Sequence, residues 1–464
     1  MPTGTYLAGS FRDPAGHVFT NDGEFYREVT GAGLEDYCLL RRSELDRELL
    51  RNGLLVPFEE IELTSQSAIL HLQKLSWVSY PYEWCFGQLR DAALLTLEVL
   101  RTSLQHGMIL KDASAYNIAF RGAMPVFIDH GSFTVYRENQ PWQGYRQFVM
   151  HFLGPLLLLR QDDRYRAMLR SNLDGLELDF ISKNLPWSGY FRIPELLHVH
   201  LHARFQQKYA DSHHAAVPKE PKIGKNQLLW MISRLYEFIS SLKSPRLDTE
   251  WGDYYNDTNY SSAAFIAKKA LVGDFLGAAM PERTIDLGAN RGEFTMIAAR
   301  YSNQTIAADI DPAAIGTLYA ALRTAKNSSV HPMIQDLNNP SPGLGLFNAE
   351  RLSFFERAKA DAVLGLALAH HLRVGGNWPL ERIAELFARL APRALIEFVP
   401  REDSQFQRLL RSRPDIYHDW TLPNLIDSLK KHYRQVEPSS IPESGRILLR
   451  TSGLRGEYET RNDT

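Results

Sequence analysis

The chain has 464 residues, and its 54 acidic against 52 basic side chains leave a formal net charge of −2 at pH 7. That balance argues against a protein that coats nucleic acid, because such binding needs a basic surface to displace phosphate counterions. At 44% hydrophobic and 23% charged residues the composition is that of a folded globular chain, long enough for two or three domains at about 150 residues each. Two cysteines, Cys38 and Cys85, can build neither a disulfide framework nor a cysteine-rich zinc site, and they point to a reducing compartment. The opening MPTGTYLAGSFRD carries neither a basic segment nor an apolar run, and the longest apolar patch, 152–159, is far short of the roughly 20 residues of a membrane helix. The expectation is a soluble, cytoplasmic protein with no membrane partner.

In chain order, residues 10–19 offer a hairpin whose one glycine is Gly16, and Phe25-Tyr26-Arg27-Glu28 follows. Leu94, Leu97, Leu100 and Leu104 then recur at helical spacing up to His106-Gly107. Next comes Lys111-Asp112-Ala113-Ser114-Ala115-Tyr116-Asn117, and after it a strand ending in Asp129-His130-Gly131. An aspartate and an asparagine at this spacing, followed by Asp-x-Gly at a strand end, resemble the catalytic loop and metal-binding motif of the protein-kinase and aminoglycoside-phosphotransferase fold. The resemblance implies an α+β kinase-like domain over 1–205, with Pro81-Tyr82-Glu83-Trp84 as its hinge. Asp112 would orient an acceptor hydroxyl, while Asn117 and Asp129 would hold magnesium against the phosphates of Mg-ATP. Three departures weigh against phosphotransfer. No lysine precedes Lys74, so Arg27 stands nearest to the expected phosphate-gripping position, and an arginine is not an interchangeable point charge. No glycine-rich loop is recognisable, and no Ala-Pro-Glu segment follows Gly131. A degenerate module that recruits substrate or partner and an active phosphotransferase both stay open.

Residues 206–227 are polar, contain Pro218, Pro221 and Gly224, and lack an apolar period, which is how a linker reads. Leu228, Ile232, Leu235, Ile239 and Leu242 then mark a helix closed by Pro245, so linker and connecting helix span 206–250. The aromatic stretch 251–260 supplies Tyr254, Tyr255 and Tyr260 as candidates to roof a pocket, and a further helix is expected at about 263–276. From Arg283 onward RTIDLGANRGEF, QTIAADIDP, DAVLGLALAHHL and RALIEFVP alternate with helical stretches, as in a parallel sheet covered on both faces. This α/β domain is placed at 251–455, with a polar tail at 456–464.

Within it, Asp286-x-Gly288-x-x-x-Gly292 follows a strand, and Asn290 stands where a dinucleotide fingerprint needs its second glycine. The spacing resembles the first motif of class I S-adenosylmethionine-dependent methyltransferases, a doubly wound, mostly parallel, Rossmann-like fold. The order of the later strands fits: Asp309 ends the second strand, Asp336 comes after the third, and the fourth is read as running to His370-His371. The resemblance implies cofactor contacts from Asn290 and Gly292 in the turn, from Asp286 and Gly288 by the methionine part, from Asp309 at the ribose and from Asp336 at the adenine. His370 and His371 are the candidate proton acceptors, with Glu397 behind them. The pairing of the two domains is similar to an uncharacterised bacterial methyltransferase family, some members of which are associated with nodulation. The function expected is methyl transfer from S-adenosylmethionine to an unidentified acceptor, with a protein or saccharide partner possible at the kinase-like domain. The alternatives are a bifunctional kinase–methyltransferase acting on a saccharide or small molecule, and a non-enzymatic cofactor-binding scaffold. His198, His200 and His202 alternate but lack the glutamate of a zinc motif, and Arg408, Arg411 and Arg413 read as solvated charge.

Overall fold

The computed structural model describes residues 4–186, 222–245, 261–411 and 413–456. The chain divides into two units, Met1–Arg246 with Leu344–Arg351, and Leu247–Gly343 with Leu352–Thr464. The three alternating histidines and the tyrosines of 251–260 lie outside the described residues.

In the first unit β1 (Thr5–Tyr6), β2 (Gly16–Asn21), β3 (Glu24–Thr30), β4 (Phe58–Leu63) and β5 (Ser67–Leu72) form an antiparallel sheet in the order β1-β2-β3-β5-β4. The tight hairpin joins β2 to β3 rather than lying within 10–19. Asp22 and Gly23 both take positive φ there, which is the backbone a two-residue hairpin loop requires. Helices Ala32–Arg42 and Leu45–Arg51 separate β3 from β4. A 3₁₀ turn at Pro81–Glu83 leads into the helix Phe86–Gln105, which buries Leu89, Leu97, Leu100 and Leu104. β6 (Met108–Leu110) pairs with β9 (Phe133–Val135), and β7 (Ile118–Arg121) with β8 (Met124–Phe127). The helix Lys225–Ser241 turns Leu228, Ile232, Leu235 and Ile239 inward and packs on the 86–105 helix, as part of this unit.

The second unit holds β10 (Arg283–Leu287), β11 (Gln304–Asp309), β12 (Val330–Ile334), β13 (Ala362–Gly365), β14 (Arg393–Phe398), β15 (Tyr433–Ser440) and β16 (Ile447–Leu454). Their order is β12-β11-β10-β13-β14-β16-β15, parallel from β12 to β14 and antiparallel at β16 and β15. A parallel sheet in this order with an antiparallel hairpin at one edge is the class I methyltransferase fold. Successive strands step one way from β10 to β12 and the other way from β13 to β14. Loops leaving β10 and β13 therefore diverge and open a crevice at the carboxyl ends of the strands. The helix Ser262–Ala279 covers one face, packing Ala264, Val272, Phe275 and Leu276 with Leu364, Leu395 and Leu448. Among the described residues no helix is long and apolar enough to cross a membrane.

β13 is shorter than its apolar sequence suggests. It stops at Gly365, and Ala367 takes a positive φ of 50°. His370 and His371 thus lie in a short helical segment beyond the strand, with His371 opening its π-helical part, and not at the strand's end.

Candidate functional site

A cavity of about 340 Å³ opens at the carboxyl ends of β10, β11, β12 and β13, within the range of small-molecule sites. Asp286 enters it from β10, Asp309 from β11, and Gln335, Asp336 and Asn338 from the loop after β12. Gly288, Ala289 and Asn290 form one wall, and Leu366, Ala367, Leu368, His371 and Leu372 another.

The turn after β10 is shaped by backbone conformation. Gly288, Asn290 and Gly292 take φ of 72°, 48° and 88°, a region that glycine and asparagine tolerate best. The backbone N–H groups of Gly288 and Ala289 donate to the carbonyl of Ala308 at 2.9 and 3.2 Å. Asp309 ties the turn down: one carboxylate oxygen accepts from the Asn290 N–H at 2.8 Å and the other from the Asp311 N–H at 2.9 Å. Asp311 in turn caps the helix Pro312–Thr324 by accepting from Ala313 and Ala314. Gly292 is not a lining residue; it sets the entry to the helix Glu293–Ala298, and a Cβ there would meet Leu318 at 2.5 Å.

Burial raises the Asp286 carboxyl to about 7, against the hydrogen bond it accepts from Thr295 Oγ1 at 2.6 Å and with Asp309 pushing the same way. Burial also raises Asp309, although its backbone donors oppose the shift. Asp336 accepts from the Asn338 N–H at 2.8 Å. His371 lines the cavity, and burial, aided by Arg446, brings its pKa down to about 4. His370 sits behind it, fully buried, with its ring centroid 4.1 Å from that of His371. Among the described residues neither His370 ring nitrogen has a hydrogen-bond partner, and burial holds that ring neutral too.

Glu397 does not line the cavity. Its carboxylate lies at 2.6 Å from Lys268 Nζ and 3.3 Å from an Arg446 guanidinium nitrogen, so it is held between two cations rather than poised as a base. Five expected cofactor contacts, Asp286, Gly288, Asn290, Asp309 and Asp336, therefore share one cavity with His371. Phe265, Lys268, Phe294, Ile310 and Leu409 also line it and were not expected from sequence. Lys268 did leave a signal, since it falls in register with Ala264, Val272 and Leu276 on the inward stripe of its helix. The cradle of positive-φ turn, acids from successive strands and an exposed Ile310 side chain beside them fits a nucleoside-bearing cofactor.

In the first unit Asp112, Asn117 and Asp129 come together. Asp112 is hydrogen-bonded to Asn117 and feels the charge of Asp129, and burial raises its carboxyl. Arg27 of β3 reaches Asp129 at 2.6 Å and also pairs with Asp13. Burial alone would raise Asp129, but Arg27 and the Ser132 hydroxyl pull it below the ordinary carboxylate range. Ser132 also accepts from the Asn117 amide at 3.1 Å. With one Asp129 oxygen on Arg27 and the Gly131 N–H and the other on Ser132, this donor set does not fit a magnesium ion.

No family model matches the sequence. The nodulation protein NoeA of Rhizobium meliloti (strain 1021) is 34% identical over 456 residues, covering 95% of each chain. Among solved structures, magnesium protoporphyrin IX methyltransferase (ChlM) from Synechocystis PCC 6803 is 16% identical over 44% of this chain and 93% of its own, with a TM-score of 0.30. The N-methyltransferase NodS from Bradyrhizobium japonicum WM9 is 12% identical over 42% and 99%, with a TM-score of 0.31. The strand order of the second unit, not these overlaps, identifies its fold.

Proposed function

This chain belongs to the family of the nodulation protein NoeA, and we propose that its second unit is an S-adenosylmethionine-dependent methyltransferase. The observation that supports this reading is the convergence of Asp286, Asp309 and Asp336, from three successive parallel strands, on one cavity beside a glycine turn. The bound cofactor supplies an activated methyl group on a sulfonium. Asp309 and Asp336 carry the acceptor oxygens that hold ribose hydroxyls and an adenine amine, and Ile310 offers an apolar face for the base. The apolar wall of Leu366, Leu368 and Leu372 excludes water, so that positioning and desolvation carry much of the rate. His371, neutral near pH 7, is the cavity's candidate to take a proton from the acceptor, with His370 buried behind it and Glu397 buried against Lys268.

The test is calorimetric titration of the full chain with S-adenosylhomocysteine. Wild type is expected to bind, and Asp309→Asn to bind roughly 10- to 100-fold more weakly through loss of a charge-assisted hydrogen bond. Equal affinity removes Asp309 from the site, and no binding by wild type overturns the reading. Transfer of labelled methyl to a fraction of native lysate separates an enzyme from a cofactor-binding scaffold.

For the first unit we propose a kinase-like module that recruits substrate, a saccharide or a protein partner. The gathered Asp112, Asn117 and Asp129 support the kinase-like reading. The Arg27 clamp on Asp129 favours recruitment over phosphotransfer. Magnesium-dependent ATP binding abolished by Asp129→Ala would instead bring the bifunctional kinase–methyltransferase forward.

A further inference from the structure

Resting on the methyltransferase reading of the same cavity, we infer that Lys268 forms an oxyanion site in the cavity wall, for a carboxylate or a deprotonated hydroxyl of a bound molecule. Its side chain is 4% exposed, yet it lines the cavity. A lysine placed on the inward stripe of a helix loses its hydration, and the fold compensates with a chain of charges. Lys268 pairs with Glu397, Glu397 with Arg446, and Arg446 with Asp403 at 2.8 and 3.2 Å. Two cations and two carboxylates balance. Replacing such a buried set by apolar residues is often neutral or stabilising, so stability alone gives no reason to keep it.

Position gives that reason. Of the four groups only Lys268 lines the cavity, and it is the one lysine or arginine among the described lining residues. The other charged lining residues, Asp286, Asp309 and Asp336, are acids, so an anion seated elsewhere meets repulsion. Glu397 fixes where Nζ stands, and the doubly bonded Arg446–Asp403 pair fixes Glu397. Nζ also lies 4.6 Å from the centroid of Phe294, and Phe265, one turn earlier on the helix, lines the same wall. An oxyanion carried on an apolar or ring-bearing body suits this corner.

The oxyanion has two possible sources, the amino-acid carboxylate of the cofactor or an anionic oxygen of the acceptor. Calorimetry on the full chain separates them. The probes are S-adenosylhomocysteine, 5′-deoxy-5′-methylthioadenosine, which lacks the amino-acid carboxylate, and benzoate added to the S-adenosylhomocysteine-loaded protein. The variants are Lys268→Met, Glu397→Gln and the double variant, which removes both charges if the single lysine change fails to fold. A cofactor carboxylate predicts about 10- to 100-fold weaker S-adenosylhomocysteine binding in both lysine variants, with methylthioadenosine unchanged. An acceptor oxygen predicts unchanged binding of both nucleosides and loss of benzoate binding. Either way Glu397→Gln, which takes away the anchor of Nζ, weakens the same probe as Lys268→Met but by less, whereas a merely structural pair makes all three variants lose both nucleosides alike. Unchanged S-adenosylhomocysteine affinity in folded variants, with no Lys268-dependent benzoate binding, overturns the inference. Failure of wild type to bind either nucleoside would instead overturn the methyltransferase reading, and the unloaded protein's benzoate binding would then decide for or against Lys268.

Discussion

Asp286, next to last in β10, lies almost without solvent contact, feels the charges of Lys268 and Asp309, and accepts from Thr295. Its pKa rises from 3.8 to about 7 on folding, so the folded protein keeps a proton that the unfolded chain has released. Stability is full below about pH 4 for this group and falls as pH rises to about 7, at roughly 1.4 kcal/mol per pH unit while the two states differ by one proton. Asp286→Asn removes that dependence. Its own absolute cost includes a new buried N–H donor, so the diagnostic quantity is the change with pH. Between pH 5 and pH 8 the stability gap is expected to move in the variant's favour by about 2–3 kcal/mol, read from urea unfolding. A gap constant across that range would mean the carboxylate is ionised throughout. The same charge state bears on cofactor choice, because an ionised Asp286 favours a cationic sulfonium over a neutral thioether.

At the scale of elements, the turn after β10 does the positioning, and its two glycines differ in what they require. Gly288 needs only its positive φ, since a Cβ would sit at an ordinary 3.6 Å from Leu368. Gly292 needs both its φ of 88° and the space, since a Cβ would come within 2.5 Å of Leu318. Gly292→Ala is expected to cost about 2–4 kcal/mol and Gly288→Ala about 1–2 kcal/mol, measured by denaturant melts. Equal costs would show that Leu318 yields freely. This turn was legible in the sequence because its determinants are local: an apolar strand, then glycines at fixed spacing, then a helix start. The acids after β11 and β12 were legible for the same reason. The run DAVLGLALAHHL misled, because continuous apolarity looks like strand past Gly365, whereas the left-handed Ala367 turns the chain and moves both histidines into the helical segment that follows. The Glu397–Arg446–Asp403 chain could not be read at all. Its members come from β14 and from two later loops, and no local pattern places their charges together.

At the scale of the whole molecule, each unit has its own sheet and its own cluster of acids, and the acids are used differently. In the second unit they line an open cavity. In the first, Asp129 is closed on Arg27, whose side chain is 8% exposed, and Asp13 shares that guanidinium. Asp129→Asn leaves Arg27 with one carboxylate instead of two, and a cost of roughly 1–3 kcal/mol is expected, below that of a fully stranded buried charge because Asp13 remains. Ligand binding acts on the other unit: at about 100 times its dissociation constant, S-adenosylhomocysteine adds about 2.7 kcal/mol to whatever holds the cavity together. A chain with two cores need not melt in one step, so calorimetric scanning should resolve the two effects on different transitions. Asp129→Asn is expected to lower one transition, and S-adenosylhomocysteine to raise the other, in wild type and variant equally. If the ligand shift shrinks in Asp129→Asn, the clamp in the first unit and the cavity in the second are energetically coupled, and recruitment at one is then felt as affinity at the other.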